Sequence, residues 1–165
     1  MTQTIEEPQQ RISPDAVKVW RMSSLIEDFI AYVVLGALLF LHHSYNWVEW
    51  VGLILYILII LGVIHSIYEI FIRPIYQQRT WRYDIDERHI QLKHGAIKKT
   101  HLIVPMTKVQ YVNTNQGPLL RRYGLATIKV GTMASSHDIP AIPVKEAEEL
   151  RTRIAFLAEI TETDE

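Results

Sequence analysis

Residues 50–68, WVGLILYILIILGVIHSIY, hold no Asp, Glu, Lys or Arg, and the nearest charges are Glu49 and Glu69 at either end. At about 1.5 Å of rise per residue, a helix of this length roughly matches the ~30 Å hydrocarbon core of a bilayer. The stretch therefore reads as a membrane span, and the rest of the chain as what leads into it and what hangs from it.

Upstream, Phe29–Leu41 (FIAYVVLGALLFL) is strictly apolar, and the uncharged window continues to Val48, with Leu25 and Ile26 one turn before it. The apolar run alone is short enough to suit a buried or re-entrant helix, but the longer window favours a second span. Glu27 and Asp28 fall at its N-terminal boundary, where the helix dipole favours acids. The connecting HHSYNWVE has no Lys or Arg, whereas Arg11, Lys18 and Arg21 precede the first span and Arg73, Arg79 and Arg82 follow the second. By the positive-inside rule both termini are cytoplasmic in a two-pass cell-membrane protein. Tyr45, Trp47 and Trp50 then form an outer aromatic belt, with Trp20, Tyr76 and Trp81 available for the inner one. Gly36 and Gly62 offer small surfaces for packing the two helices. Arg73-Pro74 is expected to end the second span, because proline disfavours helix through the preceding residue.

The overall averages, 48% hydrophobic residues and a mean hydropathy of +0.06, conceal this split. So does the net charge of -1. From Arg73 to Ala141 eleven bases face four acids, a balance of +7, and from Ile142 to Glu165 three bases face seven acids, or -4. A basic body is attracted to an anionic cytoplasmic leaflet by about 1 kcal/mol per well-placed base. The absence of cysteine excludes disulfides, thiolate metal sites and cysteine nucleophiles. Met1–Gln10 is polar and is expected to be disordered, and Arg11–Ser24 reads as an interfacial lead-in. No basic n-region followed by a short apolar run and a small-residue cleavage site is present, so no cleaved signal is expected.

After Pro74 the period falls to near two. Trp81–Ile85 and Ile90–His94 alternate around a turn at Asp86–His89, and further strands are expected at 96–104, 108–115, 125–132 and 137–142, with one helical turn at Leu119–Tyr123. Short, closely spaced strands favour antiparallel pairing into a small barrel or sandwich. In VKEAEELRTRIAFLAEI the apolar residues Val144, Ala147, Leu150, Ile154, Leu157 and Ala158 share one helical face, so the final helix covers the sheet. The expected division is an N-terminal segment at 1–24, a transmembrane hairpin at 25–73, the strand-rich domain at 74–160 and a fraying tail at 161–165.

The order Arg82-Tyr83-Asp84-Ile85-Asp86, Ile90 with Gly95, Val104-Pro105, Lys108-Val109-Gln110, Gln116-Gly117, Arg121 with Gly124-Leu125-Ala126, and Ile139-Pro140 before the helix resembles the bacterial pleckstrin-homology proteins of the membrane-anchored, YdbS-like kind. The resemblance spans about residues 72–158. It implies an α+β protein: a two-helix transmembrane hairpin followed by a pleckstrin-homology-like antiparallel β-barrel capped by a C-terminal amphipathic helix. It further implies a binding or scaffolding role without catalytic residues. Such a barrel has seven strands, of which six are placed above, and Ile75–Thr80 is the candidate for the seventh.

Motifs for nucleotide binding, serine hydrolysis and zinc proteolysis are absent from the sequence. Ser135-Ser136-His137-Asp138 holds triad residue types, but neighbours on an extended chain face opposite ways, so a polar loop is the better reading. His42-His43 with Glu49 lacks further ligands nearby and reads as exposed turn residues. No cofactor or metal is expected. His65 and Glu69, spaced i, i+4 on the second span, are a candidate intramembrane polar pair that could serve a transport or channel subunit, although Arg73 can draw Glu69 to the headgroups. Lys98, Lys99, Arg121 and Arg122 are candidate contacts for anionic lipid or an acidic partner. The expected partners are the bilayer and other membrane proteins, related pleckstrin-like subunits among them, in a homo- or hetero-oligomer. Nucleic acid is not expected, since the bases are not interleaved with exposed aromatics.

Overall fold

The structure, a computed structural model, describes residues 7–45, 48–95 and 98–163, with side chains as far as Ala158. Trp47, the start of the strand expected at 96, the first six residues of the segment expected to be disordered and the last two of the tail lie outside the described residues. The chain divides into two compact units, one formed by residues 18–75 and the other by the segments 1–17 and 76–165 together.

The first unit is helical, and the last of the helices that follow runs on past residue 75 into the second unit. Helix α1 (Ala16–Ser44) and helix α2 (Glu49–Ile67) are followed by a π-helical turn at Tyr68–Ile72 and helix α3 (Arg73–Thr80). Both long stretches are long and apolar enough to cross a membrane. Their apolar side chains point outward, with Phe29, Phe40, Ile60 and Ile64 all exposed, and only Gly52 and Leu55 of α2 are buried. A helix that is apolar all round and bare in water is suited to lipid. Contacts descend one helix as they climb the other. Arg21 Nε donates to the carbonyl of Ile70 at 3.0 Å, Tyr32 Oη and Ser66 Oγ lie 3.1 Å apart, and the His42 ring packs on Gly52. The pair is thus an antiparallel hairpin. A Cβ on Gly52 would lie 2.5 Å from His42 Nε2, so this glycine permits the close approach that packing in lipid relies on. Of the two glycines expected to serve this purpose, Gly62 does meet Tyr32, but Gly36 has nothing within 4 Å.

Proline does not end the second span's helix. The backbone N–H of Arg73 reaches back five residues to Tyr68, forming the π-turn, and Pro74 sits at the second position of α3. There its missing donor is tolerated as in any first helical turn. The helix continues to Thr80, so Ile75–Thr80 is not the seventh strand.

The second unit contains two antiparallel sheets. Strands β1 (Gln10–Arg11), β2 (Arg82–Ile85), β3 (His89–His94) and β4 (Thr100–Pro105) form one in that order. Strands β5 (Val109–Asn115), β6 (Leu125–Thr132) and β7 (Ser136–Pro143) form the other, with helix α4 (Pro118–Arg122) between β5 and β6. The seventh strand is β1, which the sequence reading assigned to a disordered segment and an interfacial lead-in. It pairs Gln10 with Tyr83 and Arg11 with Arg82. Beyond it Ile12 is buried to 1% exposure, and the Ser13 N–H donates to the Ala141 carbonyl at 3.1 Å. The segment before the first span is therefore part of the barrel, and not a separate piece ending at residue 24.

Alternation sets the core. Tyr83, Ile85, Ile90 and Leu92 are buried on one face of the first sheet, and Leu125, Ile128, Val130 and Ile139 line the second. Helix α5 (Val144–Thr163) caps them with Ala147, Leu150 and Ile154, the stripe expected from its period. The phenol of Tyr83 donates to Glu146 Oε1 at 2.5 Å, tying β2 to the cap.

Candidate functional site

The outer face of the first sheet carries a row that strand register creates. Directly opposed residues of an antiparallel ladder share a face, with Cβ atoms roughly 5 Å apart. Arg11 opposes Arg82, Arg82 opposes Lys93, and Lys93 opposes His101. Three cations, with the His101 ring beside the last of them, thus cross four strands side by side. Like charges directly opposed are destabilising, so this arrangement is unfavourable unless an anion relieves it.

Glu7 supplies the relief seen here. Its Oε1 lies 2.6 Å from Lys93 Nζ, although the side chain is 76% exposed. Hydrogen bonding and charge from Lys93, with smaller help from His101 and Lys99, hold the Glu7 carboxyl below the usual range. Beside the row lies an open cleft of about 240 Å³ lined by Glu7, Pro8, Arg79, Thr80, Arg82, Lys93, His94, Gly95 and Lys99. Arg82 Nη1 donates to the carbonyls of Arg79 at 2.9 Å and Trp81 at 3.1 Å, which fixes its guanidinium at the rim. Burial first, and then the charge of Arg11, push the Arg82 pKa down. His94 stacks on Trp81 with ring centroids 4.4 Å apart, and burial, followed by His137, lowers its pKa. Gly95 turns the chain at a φ of +109°, where a Cβ would run into the Lys98 carbonyl.

The residues expected from sequence are distributed otherwise. Lys99 lines the cleft and Lys98 is exposed in the same connection, whereas Arg121 and Arg122 are exposed at the end of α4 and take no part in it. Sequence reasoning passed over Glu7, Arg11, Arg79, Arg82, Lys93 and His101 as site residues. The hairpin turn at 86–88 sets Arg82 against Lys93, so their pairing was available from the register, but the contribution of residues 7–11 was not.

In the hairpin, Glu69 Oε2 receives Arg73 at 2.5 Å, and His65 Nε2 lies 4.0 Å from the other oxygen. Glu69 thus belongs first to Arg73. Tyr32, on the facing helix, hydrogen-bonds to Ser66 and not to His65 or Glu69. Ser135 Oγ, in the turn just before β7, does reach His137 Nε2 at 2.8 Å. Asp138 opposes Lys129 and faces the other way, so the three do not line up as a relay.

Among the described residues, two antiparallel sheets with a capping helix, all but the short first strand following two apolar helices, define a membrane protein carrying a pleckstrin-like domain. The chain belongs to the Bacterial PH domain family, which matches residues 23–157 and so takes in most of the hairpin as well as the barrel. It is similar to the UPF0699 transmembrane protein YdbS of Bacillus subtilis (strain 168), with 40% identity over 159 residues, covering 96% of this chain and 98% of the relative. No solved structure matches it.

Proposed function

We propose that the protein is a two-pass, non-enzymatic scaffold of the cell membrane. Both termini are cytoplasmic, and the barrel is presented to membrane partners as a subunit of a larger complex. The observation that carries this reading is the pairing of β1 with β2. Residues 10–11 precede the first apolar helix and residues 82–83 follow the second, so the two ends of the hairpin meet in one sheet. That supports an even number of crossings with both ends on the same side, and the basic flanks favour the inner side. Tethering raises the barrel's effective concentration against other membrane-bound chains. The engagement of Glu69 by Arg73 supports anchoring at the interface over an ion path through His65.

The test uses the chain's lack of native cysteine. Ser44→Cys is expected to react with an impermeant maleimide on intact cells, and Ser135→Cys only after lysis. The reverse pattern defeats the topology. After gentle solubilisation the protein is expected to migrate in a complex with other membrane chains, and a bare monomer at native expression counts against the subunit role.

A further inference from the structure

The row and the cleft ask for an anion with more charge than Glu7 provides. Arg79, Arg82, Lys93 and Lys99 surround a cleft in which one carboxylate is the acid, Arg11 extends the positive row on one side, and His101, hydrogen-bonded to Gln91 at 3.1 Å, flanks it on the other. The Glu7 carboxylate spans the distance to Lys93 from an exposed position, so leaving it requires little desolvation. Guanidinium and ammonium donors converging on a small open cleft match the tetrahedral oxygens of a phosphoryl group, which accepts several charge-assisted hydrogen bonds at once. Such a dianion also relieves the opposed Arg11 and Arg82 pair more fully than one carboxylate does.

We propose that this cleft is a phosphate-binding site, and that Glu7 is its internal stand-in ligand, displaced when a phosphate monoester enters. Two sources offer that chemistry, a free phosphate and the headgroup of an anionic lipid. Seven positions of chain separate Ile72, the last of the apolar run, from Arg79. Even fully extended they reach only about 25 Å, so the tether keeps the rim near lipid headgroups. The proposal holds whether or not other faces of the barrel dock partner proteins, and its test does not depend on them.

The experiment titrates the full-length protein, in neutral detergent at constant ionic strength, with inorganic phosphate, with short-chain phosphatidate and with short-chain phosphatidylcholine. Because a self-occupied site binds in proportion to the fraction that is open, Glu7→Gln is expected to tighten phosphate-class binding about five- to tenfold. Adding Lys93→Gln or Arg79→Gln to that variant is expected to abolish the gain, while Arg121→Ala with Arg122→Ala leaves it intact. Lys93 and Arg79 lie at the surface of the cleft, and thermal unfolding of each variant verifies that the barrel is retained. Equal gains for phosphate and phosphatidate assign the phosphoryl group alone, and a gain confined to phosphatidate assigns the lipid. No gain in Glu7→Gln, a gain that survives loss of both Lys93 and Arg79, or an equal gain for phosphatidylcholine overturns the proposal.

Discussion

The phenol of Tyr83, wholly buried in the first sheet, donates a 2.5 Å hydrogen bond to Glu146 on the capping helix. A hydrogen bond to a charged acceptor contributes about 1.5–3 kcal/mol, so Tyr83→Phe is expected to lower the stability of the full chain by that order. Burial first, and then the bond to Glu146, raise the Tyr83 pKa well above its ordinary value. The folded state therefore holds this proton more tightly than the unfolded one. The resulting stabilisation is complete below about pH 10 and declines as pH rises beyond it, by up to ~1.4 kcal/mol per pH unit. Denaturant titrations of wild type and Tyr83→Phe should converge above pH 10. Parallel curves there would show that the phenol is not so held.

Ile12 gives the sharpest test of the shared sheet. It is 1% exposed, and its carbonyl accepts from Gln78 Nε2 at 3.3 Å. Truncating a buried isoleucine to alanine costs about 2–5 kcal/mol through lost transfer energy and the cavity left behind. Ile12→Ala is expected to destabilise the barrel by that amount, although it lies before both apolar helices. A residue in a loose tail would change stability by no more than about 0.5 kcal/mol, and such a result would detach the segment from the core.

The parts of the fold that were legible in sequence are those specified locally. The β2–β3 hairpin has a period of two around a polar turn, β6 occupies the expected residues 125–132, and α5 shows a single apolar stripe. Strand β1 was not legible because two residues carry no periodicity and their partners lie more than seventy positions away, beyond two apolar helices. Pro74 misled for a related reason: a local steric rule was overridden by a π-turn one step upstream. The basic row was not legible because the bases adjacent in sequence are Lys98-Lys99 and Arg121-Arg122, whereas the row joins residues from four strands. On strands, neighbours in sequence face apart, and neighbours in register gather charge.

Ala141 sits at a bulge and at a φ of +50°. The register passes from Ala126 opposite Ile142 to Ile128 opposite Ile139, so Pro140 and Ala141 together face Thr127. This conformation turns the Ala141 carbonyl toward Ser13. A left-handed non-glycine residue carries about 1–2 kcal/mol of strain, against roughly 0.5–1 kcal/mol for the added freedom of glycine. Ala141→Gly is thus expected to leave stability within about 1 kcal/mol of wild type, and Ala141→Val, β-branched and at 1% exposure, to lower it by more than about 2 kcal/mol. Chemical denaturation of the two variants distinguishes them, and equal losses would place the constraint in packing alone.

Arg21 and Pro74 are coupled through one carbonyl. Proline has no N–H to return to Ile70, four residues back, and Arg21 Nε donates to that oxygen at 3.0 Å while its guanidinium lies 5.9 Å from the Phe71 ring centre. Arg21→Ala is expected to cost about 1.5–3 kcal/mol of hairpin stability, since it withdraws a charged donor from a backbone acceptor. Pro74→Ala restores a donor at residue 74, and the α-helical ladder can then close on Ile70 without Arg21. The arginine substitution should consequently cost less in the Pro74→Ala background, with a coupling of at least about 0.5 kcal/mol in a double-mutant cycle. Unfolding of the full chain in mixed detergent micelles measures each corner. Strictly additive losses would mean that Arg21 acts through the Phe71 ring and its own helix, with no part in satisfying the backbone that the proline leaves open.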